Sequence, residues 1–153
     1  MDSTDRKILD LLQADASLTV KEIAAQIPLS ATPCWKRIQR LEELGFIRGR
    51  VVLLDPKKVN AAVTVFVAIK TDHHTRGWID RFNKAVVDLP EVMEVYRMSG
   101  EVDYLLRVVV SSIEAYDQFY KKLIDRIELS NVTSSFAMEQ IKYTTALPVG
   151  EAV

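Results

Sequence analysis

Apolar side chains recur at helical spacing near the start of the chain, at Ile8, Leu11 and Leu12. This pattern predicts a first helix over residues 3–14. A capping-box pattern follows at Thr19–Glu22, in which a hydroxyl and a carboxylate each bind a backbone amide that lacks a partner inside the helix. A second, short helix is therefore predicted to begin there and to end at Pro28.

The next segment has the signals of a third helix over residues 31–44. Ser30 is a favourable N-cap, and Gly45 can adopt the left-handed conformation that often ends a helix. At about 100° per residue, the predicted buried face consists of Cys34, Ile38 and Leu41. Two helices joined by so short a turn, after a first helix, are typical of a helix-turn-helix, whose second helix enters the DNA major groove.

Beyond residue 50 the pattern changes to alternating strands and helices. Val51–Leu54 predicts a short strand within a linker over residues 51–60. Strands are then predicted at about 61–71, 92–98, 103–110 and 132–143, and helices at about 78–89 and 113–124. This β-α-β-β-α-β order is that of the ferredoxin-like fold, an antiparallel sheet with both helices on one face. The predicted fold class is α+β, with domains at 1–50 and 61–153.

The first strand of the second domain is apolar on both faces. The helices can cover only one side of the sheet, so something else must cover the other side. In a chain without cofactor motifs a second copy is the simplest cover, and we expect a homodimer. A dimer also suits the first domain, because paired helix-turn-helix units read two half-sites about one DNA turn apart.

Composition and charge narrow the function. With 153 residues, 48% hydrophobic and 27% charged, the chain has a globular composition that excludes intrinsic disorder and collagen. The net charge is only −1, but residues 33–50 contain five basic and two acidic side chains. DNA phosphates are therefore expected to bind at this local excess of positive charge.

Several functional classes lack support in the sequence. The longest apolar runs fall short of the roughly 20 residues that a bilayer crossing needs. The acidic N-terminal segment does not resemble a secretion signal, so a cytoplasmic protein is expected. The chain has one cysteine, Cys34, and two histidines, His73 and His74, which are expected to be exposed loop residues. We therefore expect no metal site, no cofactor and no catalytic residues.

Helical angles place the polar and basic side chains of the third helix on its outward face. Trp35 lies near the boundary of the two faces, where a partly buried anchor is favoured over a DNA contact. Glu42 and Glu43 lie at the far end, where they would not repel the DNA backbone. The side chains expected to contact bases or phosphates are Ser30, Thr32, Pro33, Lys36, Arg37, Gln39 and Arg40.

The segment Ser30–Ile47 has the pattern Ser-x-Thr-Pro-Cys-x-x-Arg-x-x-x-Leu-Glu-x-x-Gly-x-Ile. Here the chain resembles the leucine-responsive and asparagine-responsive (Lrp/AsnC) transcription regulators, and the resemblance extends over essentially the whole chain. Pro28 is a departure, since the family more often has glycine in the turn and proline cannot adopt a positive φ. Within the family, the resemblance is strongest to the branch of the cysteine-detoxification regulator, through residues 32–37 and 132–145.

The resemblance implies that the second domain dimerises, commonly assembles further into octamers, and binds a small effector, often an amino acid. Gly100–Tyr104 resembles the family's Gly-x-x-Asp turn, where a glycine lets backbone amides approach a carboxylate and Asp103 can pair with an ammonium group. The implied effector-binding residues are Met98, Ser99, Gly100, Val102, Asp103, Tyr104, Ser134 and Ser135.

Two alternatives differ from this interpretation. Glycine and aspartate are also ordinary hairpin-turn residues, in which case Asp103 caps the turn and binds no ligand. An oligomeric amino-acid-binding sensor without DNA binding is the alternative function, but it does not account for the basic face at residues 32–40. The favoured function is a sequence-specific DNA-binding regulator that senses an amino acid, with cysteine as first candidate. Tyr143 and the residues after it are expected to pack against a neighbour or to fray.

Overall fold

The computed structural model of the chain describes residues 1–72 and 75–150. It contains two compact units. The first unit combines Met1–Val52 with the segment that begins at Lys142, and the second is Leu53–Ile141. Within the described residues, no helix has both the length and the apolar character needed to cross a membrane.

Three helices form the first unit: α1 (Ser3–Ala14), α2 (Val20–Ala24) and α3 (Ala31–Glu43). The predicted capping box of α2 is confirmed, because Thr19 Oγ1 accepts the Glu22 N–H and the Glu22 carboxylate accepts the Thr19 N–H. A second capping box, between Asp2 and Asp5, begins α1. Ser30 is the N-cap residue of α3, but its hydroxyl makes no capping hydrogen bond.

Two positions of the α2–α3 region, Gly45 and Pro28, show how single residues determine the backbone conformation. Gly45 has a φ of +77°, its N–H donates to the Glu42 carbonyl, and the Phe46 N–H donates to the Leu41 carbonyl. These two bonds form a Schellman motif that closes α3. Pro28 is accommodated in the turn before α3 because no residue from 25 to 30 has a positive φ.

The core of the first unit is the apolar face shared by its three helices. The buried side chains are Ile8, Leu9, Ile23, Ala24, Ile27, Cys34, Ile38 and Leu41. The C-terminal segment also belongs to this unit, since the Leu147 N–H donates to Gln13 Oε1 at 2.7 Å and Gln13 Nε2 donates to the Leu147 carbonyl at 3.1 Å. Val149 packs against the same core. Leu147 and Val149 of the tail therefore contact the first unit of their own chain, whereas Tyr143 is exposed.

The second unit follows the predicted β-α-β-β-α-β order. Its elements are β1 (Val63–Lys70), α4 (Arg76–Val87), β2 (Val92–Arg97), β3 (Tyr104–Val110), α5 (Ile113–Arg126) and β4 (Asn131–Phe136). The strands form an antiparallel sheet in the order β2-β3-β1-β4. His73 and His74, predicted to be exposed loop residues, lie outside the described residues.

Two predicted strands differ from the structure. Val51–Leu54 is exposed and forms no strand, because no other segment among the described residues pairs with it. The last strand ends at Phe136 rather than at residue 143. Its partner β1 begins at Val63, and the Ala137 N–H bond to the Thr64 carbonyl is the last link between them. A strand that outruns its partner has no further ladder bonds to form.

The two faces of the sheet have different environments. Residues of β1 and β3 that face α4 and α5 are buried: Val65, Val67, Ile69, Tyr104, Leu106, Val108 and Val110. On the opposite, open face Phe66 is 40% exposed, and Arg107, its partner on β3, forms an ion pair with Glu94 at 2.7 Å. The open face therefore combines apolar side chains such as Phe66, Ala68 and Leu105 with polar and charged ones, and no described element of this unit covers it.

Candidate functional site

The outward face of α3 presents exposed polar and basic side chains. Thr32, Lys36 and Arg40 are exposed, while Cys34, Ile38 and Leu41 on the opposite face are buried. No salt bridge to Lys36 or Arg40 occurs within residues 1–72 and 75–150. These two cations are therefore available to an anionic partner.

Gln39 and Arg50 are held by one carboxylate. Gln39 Nε2 donates to Glu42 Oε2 at 3.0 Å, and Arg50 Nη2 lies 3.0 Å from Glu42 Oε1. The positive charge of Arg50 is thus partly neutralised within the unit. This bond uses one Nε2 hydrogen of Gln39, so its second N–H and its carbonyl oxygen can still bind another group.

Arg37 joins α3 to the start of α1. Its Nη1 donates to Asp2 Oδ2 at 2.6 Å and to Asp5 Oδ1 at 2.7 Å. These bonds raise the pKa of Arg37, and the pKa of Asp2 is lowered first by the Asp5 N–H bond and then by Arg37. The sequence placed Arg37 among the DNA contacts and did not indicate this ion-pair cluster, because Arg37 is more than thirty residues from both of its acidic partners.

Cys34 and Trp35 are neighbours in sequence but differ in environment. Cys34 is fully buried, and burial raises the pKa of its thiol, which disfavours the reactive thiolate. Trp35 is 50% exposed. The anchor role favoured from the sequence therefore accounts for only half of the Trp35 surface.

The β2–β3 turn, residues 98–103, carries most of the predicted effector residues. Gly100 has a φ of +128°, a conformation that side-chain-bearing residues rarely adopt. The Met98 N–H donates to the Asp103 carbonyl at 2.8 Å and closes the turn. Beside it, Lys70 Nζ lies 2.7 Å from Glu101 Oε1, and this bond lowers the pKa of Glu101.

Asp103 ties this turn to the end of β1. Its Oδ2 accepts the Thr71 N–H at 2.8 Å, and its own N–H donates to the Ile69 carbonyl at 3.0 Å. Asp103 therefore has a structural role, as the turn-cap alternative expects, but its carboxylate binds the residue after β1 rather than an amide of its own turn. This bond uses Oδ2, one of the two carboxylate oxygens.

The remaining predicted effector residues lie apart from the turn. Tyr104 is 5% exposed, with its ring centroid 4.4 Å from that of Phe82, so it supports the turn from inside the core. The Ser134 hydroxyl is hydrogen-bonded to the Tyr116 hydroxyl on the helical side, whereas Ser135 is exposed. Because β1 separates β4 from β3, and strands are about 4.8 Å apart, one chain does not bring these serines to the turn.

Comparison with known proteins agrees with both units. Residues 1–42 match the AsnC-type helix-turn-helix domain, and residues 64–147 match the Lrp/AsnC ligand binding domain. The chain is 52% identical over 150 residues to the DNA-binding transcriptional activator DecR of Escherichia coli strain K12, a match that covers 97% of this chain and 99% of the relative.

Two solved structures share the fold over nearly the full length. An AsnC family transcriptional regulator from Agrobacterium tumefaciens is 61% identical, with a TM-score of 0.94 and 97% of both chains covered. The transcriptional regulator NMB0573 from Neisseria meningitidis, solved in complex with L-Met, is 33% identical, with a TM-score of 0.92, and the match covers 97% of this chain and 96% of that one. The predicted α+β fold class and the predicted family are confirmed. This chain is a DNA-binding transcriptional regulator of the Lrp/AsnC family.

Proposed function

We propose that α3 is the helix through which this regulator binds DNA, and that an amino acid bound at the β2–β3 turn modulates that binding. The observation that carries the DNA part is the distribution of charge on α3. Arg37 of α3 and Arg50 beyond it form ion pairs with carboxylates of their own unit, whereas Lys36 and Arg40 are exposed and unpaired among the described residues. Phosphate binding favours cations that have no internal partner.

Each predicted DNA contact has a specific role in this proposal. Ser30, Thr32 and Pro33 lie at the N-terminal end of α3, and the Ser30 hydroxyl is not used for capping and can donate to a phosphate. Lys36 and Arg40 bind phosphates or guanine edges, and Gln39 reads an adenine through the N–H and the carbonyl oxygen that its bond to Glu42 leaves free. Arg37 acts indirectly, by holding α1 against α3 through Asp2 and Asp5.

The assembly follows from the open face of the sheet. A second copy is the simplest cover for the exposed apolar surface around Phe66, and a homodimer also presents two copies of α3 to paired half-sites. We extend this to further assembly of dimers into an octamer, as the family resemblance implies. The functional division is a DNA-binding domain at 1–50, a linker at 51–60, and an effector and oligomerisation domain at 61–153, in a cytoplasmic protein.

The effector is proposed to be an amino acid held at residues 98–103. The turn is exposed, Gly100 lets backbone amides approach a carboxylate, and Asp103 supplies a negative charge for an ammonium group. The bound L-Met in the structurally similar regulator supports this ligand class. Cysteine is the first candidate because of the resemblance to cysteine-detoxification regulators. Ser134 and Ser135 would reach the ligand from another subunit, since β1 separates them from the turn of their own chain.

We assign no catalytic step, cofactor or metal to this chain. Cys34 is buried, and burial raises the pKa of its thiol. The relative DecR, which matches 97% of this chain, is a transcription regulator. A general acid, a base and a nucleophile within reach of each other would be needed for an enzymatic function.

The decisive experiment measures DNA affinity of a charge-removal variant. A duplex is first selected from a random library with the wild-type full chain, and its affinity for Lys36→Ala/Arg40→Ala is measured over a range of salt concentrations. Each lost contact should cost about 1–3 kcal/mol, and each lost phosphate contact should reduce the slope of log K against log salt by about 0.9. Arg81→Ala/Lys84→Ala is the matched control, because it removes the same two charge types from the exposed face of α4.

The two variants separate a specific interface from a general charge effect. Loss of affinity in Lys36→Ala/Arg40→Ala alone supports the assignment of α3. Wild-type affinity in that variant, with an unchanged circular dichroism spectrum, would overturn it. Equal losses in both variants would indicate nonspecific attraction between the whole chain and DNA.

A further inference from the structure

Trp35 is an exposed aromatic residue in the first half of α3, a helix whose other exposed side chains there are polar. Half of its surface is accessible, which leaves on the order of 100 Å² of a large apolar side chain in water. Its neighbours one turn away on the helix are Thr32 and Gln39, both predicted DNA contacts. Burial of this exposed surface against an apolar group of bound DNA would stabilise the complex.

The helical geometry places Trp35 and the free cations on opposite flanks of one surface. At about 100° per residue, Trp35 lies about 40° from Gln39, about 60° from Thr32 and about 140° from Arg40. Thr32 and Gln39 therefore occupy the centre, with Arg40 on one side and the indole on the other. A helix that enters the major groove with its polar centre toward the bases brings this indole to the wall of the groove.

Among the groups that base pairs present in the major groove, the 5-methyl group of thymine is the apolar one. The other base edges there offer hydrogen-bond donors and acceptors, which an indole ring face cannot satisfy. We propose that Trp35 determines part of the sequence specificity of this regulator by packing against a thymine methyl group. This inference rests on the proposed function, since it requires that α3 is the helix that enters the groove.

The test uses the duplex that the wild-type full chain selects from a random library. Each thymine of a half-site is replaced in turn by deoxyuridine, which removes only the 5-methyl group. Burial of one methyl-sized group contributes about 0.8 kcal/mol, so one replacement should weaken wild-type binding about fourfold, and the same replacement in both half-sites should weaken it about fifteenfold. Trp35→Ala should bind the thymine and deoxyuridine duplexes equally well, and Trp35→Phe should retain part of the discrimination.

A matched control and a spectroscopic signal accompany the affinities. Lys36→Ala keeps the indole, so it should bind more weakly overall but discriminate thymine from deoxyuridine as the wild type does. The chain has two tryptophans, and Trp78 is 3% exposed in the second unit. Acrylamide quenching of wild-type fluorescence, compared with that of Trp35→Phe, therefore reports on Trp35. The selected duplex should protect Trp35 from the quencher.

Three outcomes distinguish this inference from the proposal on which it rests. Loss of discrimination in Trp35→Ala, together with protection of Trp35 by the duplex, supports thymine recognition. If wild type binds the duplex but no deoxyuridine replacement matters, or if Trp35→Ala still discriminates, Trp35 does not read thymine. Weaker binding by Lys36→Ala in the same experiment then shows that the role of α3 stands. If the wild-type chain selects no duplex at all, the proposed function fails and this inference fails with it.

Discussion

Removal of the Asp5 carboxylate is a direct test of how the helix-turn-helix is held together. The Asp5 side chain is only 10% exposed, and it accepts a hydrogen bond from Arg37 at 2.7 Å and one from the Asp2 N–H at 3.1 Å. Asp5→Ala therefore breaks an ion pair between α1 and α3 and half of the capping box that begins α1. The Asp2–Arg37 pair survives the substitution.

The magnitude follows from the two interactions that are lost. Loss of the hydrogen bond from the Asp2 N–H to the Asp5 carboxylate costs about 1 kcal/mol. An exposed ion pair contributes about 0–1 kcal/mol, whereas breaking a buried one costs about 3–5 kcal/mol. Arg37 is 32% exposed and keeps Asp2 as a partner, which places this pair near 1 kcal/mol. We expect Asp5→Ala to lower the free energy of unfolding of the first unit by about 2 kcal/mol, or its Tm by roughly 10 °C.

Urea unfolding at a fixed chain concentration, followed by Trp35 fluorescence, measures this loss in the first unit. Asp10→Ala is the matched control, because Asp10 is an exposed aspartate on the same helix without a salt bridge among the described residues. The double variant Asp5→Ala/Arg37→Ala should lose less than the sum of the two single losses. The reasoning is refuted if Asp5→Ala is as stable as Asp10→Ala, or if the two losses are additive.

Two further predictions concern acid stability and the effector turn. The pKa of Asp2 is lowered in the folded chain, so its stabilising contribution is complete above the usual pKa of 3.8 and is lost as pH falls through the lowered value. The stability advantage of wild type over Asp2→Asn should therefore disappear in acid unfolding titrations. An advantage that does not change with pH would contradict this. At the turn, Asp103→Asn keeps an acceptor for the Thr71 N–H but removes the negative charge, so the Tm of this variant should stay near that of wild type. Its affinity for cysteine, leucine or asparagine, measured by calorimetry, should fall about tenfold to a hundredfold. If none of the three binds wild type, the amino-acid effector must be abandoned.

Elements with local signals were predictable from the sequence. Three such signals each depend on residues within about one helical turn. They are the Thr19–Glu22 capping box, the glycine at position 45 that follows α3, and the spacing of the buried positions. The same holds for the order of strands and helices in the second unit, because alternating and helical periodicities differ within a short window. These local patterns, together with the family resemblance, were sufficient to predict the fold class.

Features that depend on distant partners were not predictable in the same way. The sequence pattern after Phe136 suits a strand. Because the antiparallel partner β1 begins only at Val63, that segment has no strand to pair with. The bonds between Gln13 and Leu147 join residues 134 positions apart, and no periodicity indicates such a contact. The ion pairs of Arg37 have the same origin, because its two acidic partners are far from it in sequence.

The proposed effector turn shows why the two interpretations of Asp103 are compatible. The bond from the Thr71 N–H to Oδ2 and the bond from the Asp103 N–H to the Ile69 carbonyl fix both the side chain and the backbone before any ligand arrives. A carboxylate that is already oriented loses less conformational entropy when it binds an ammonium group, which increases affinity. The structural cap is therefore a means of preorganising the proposed site, and Asp103→Ala should damage both roles where Asp103→Asn damages one.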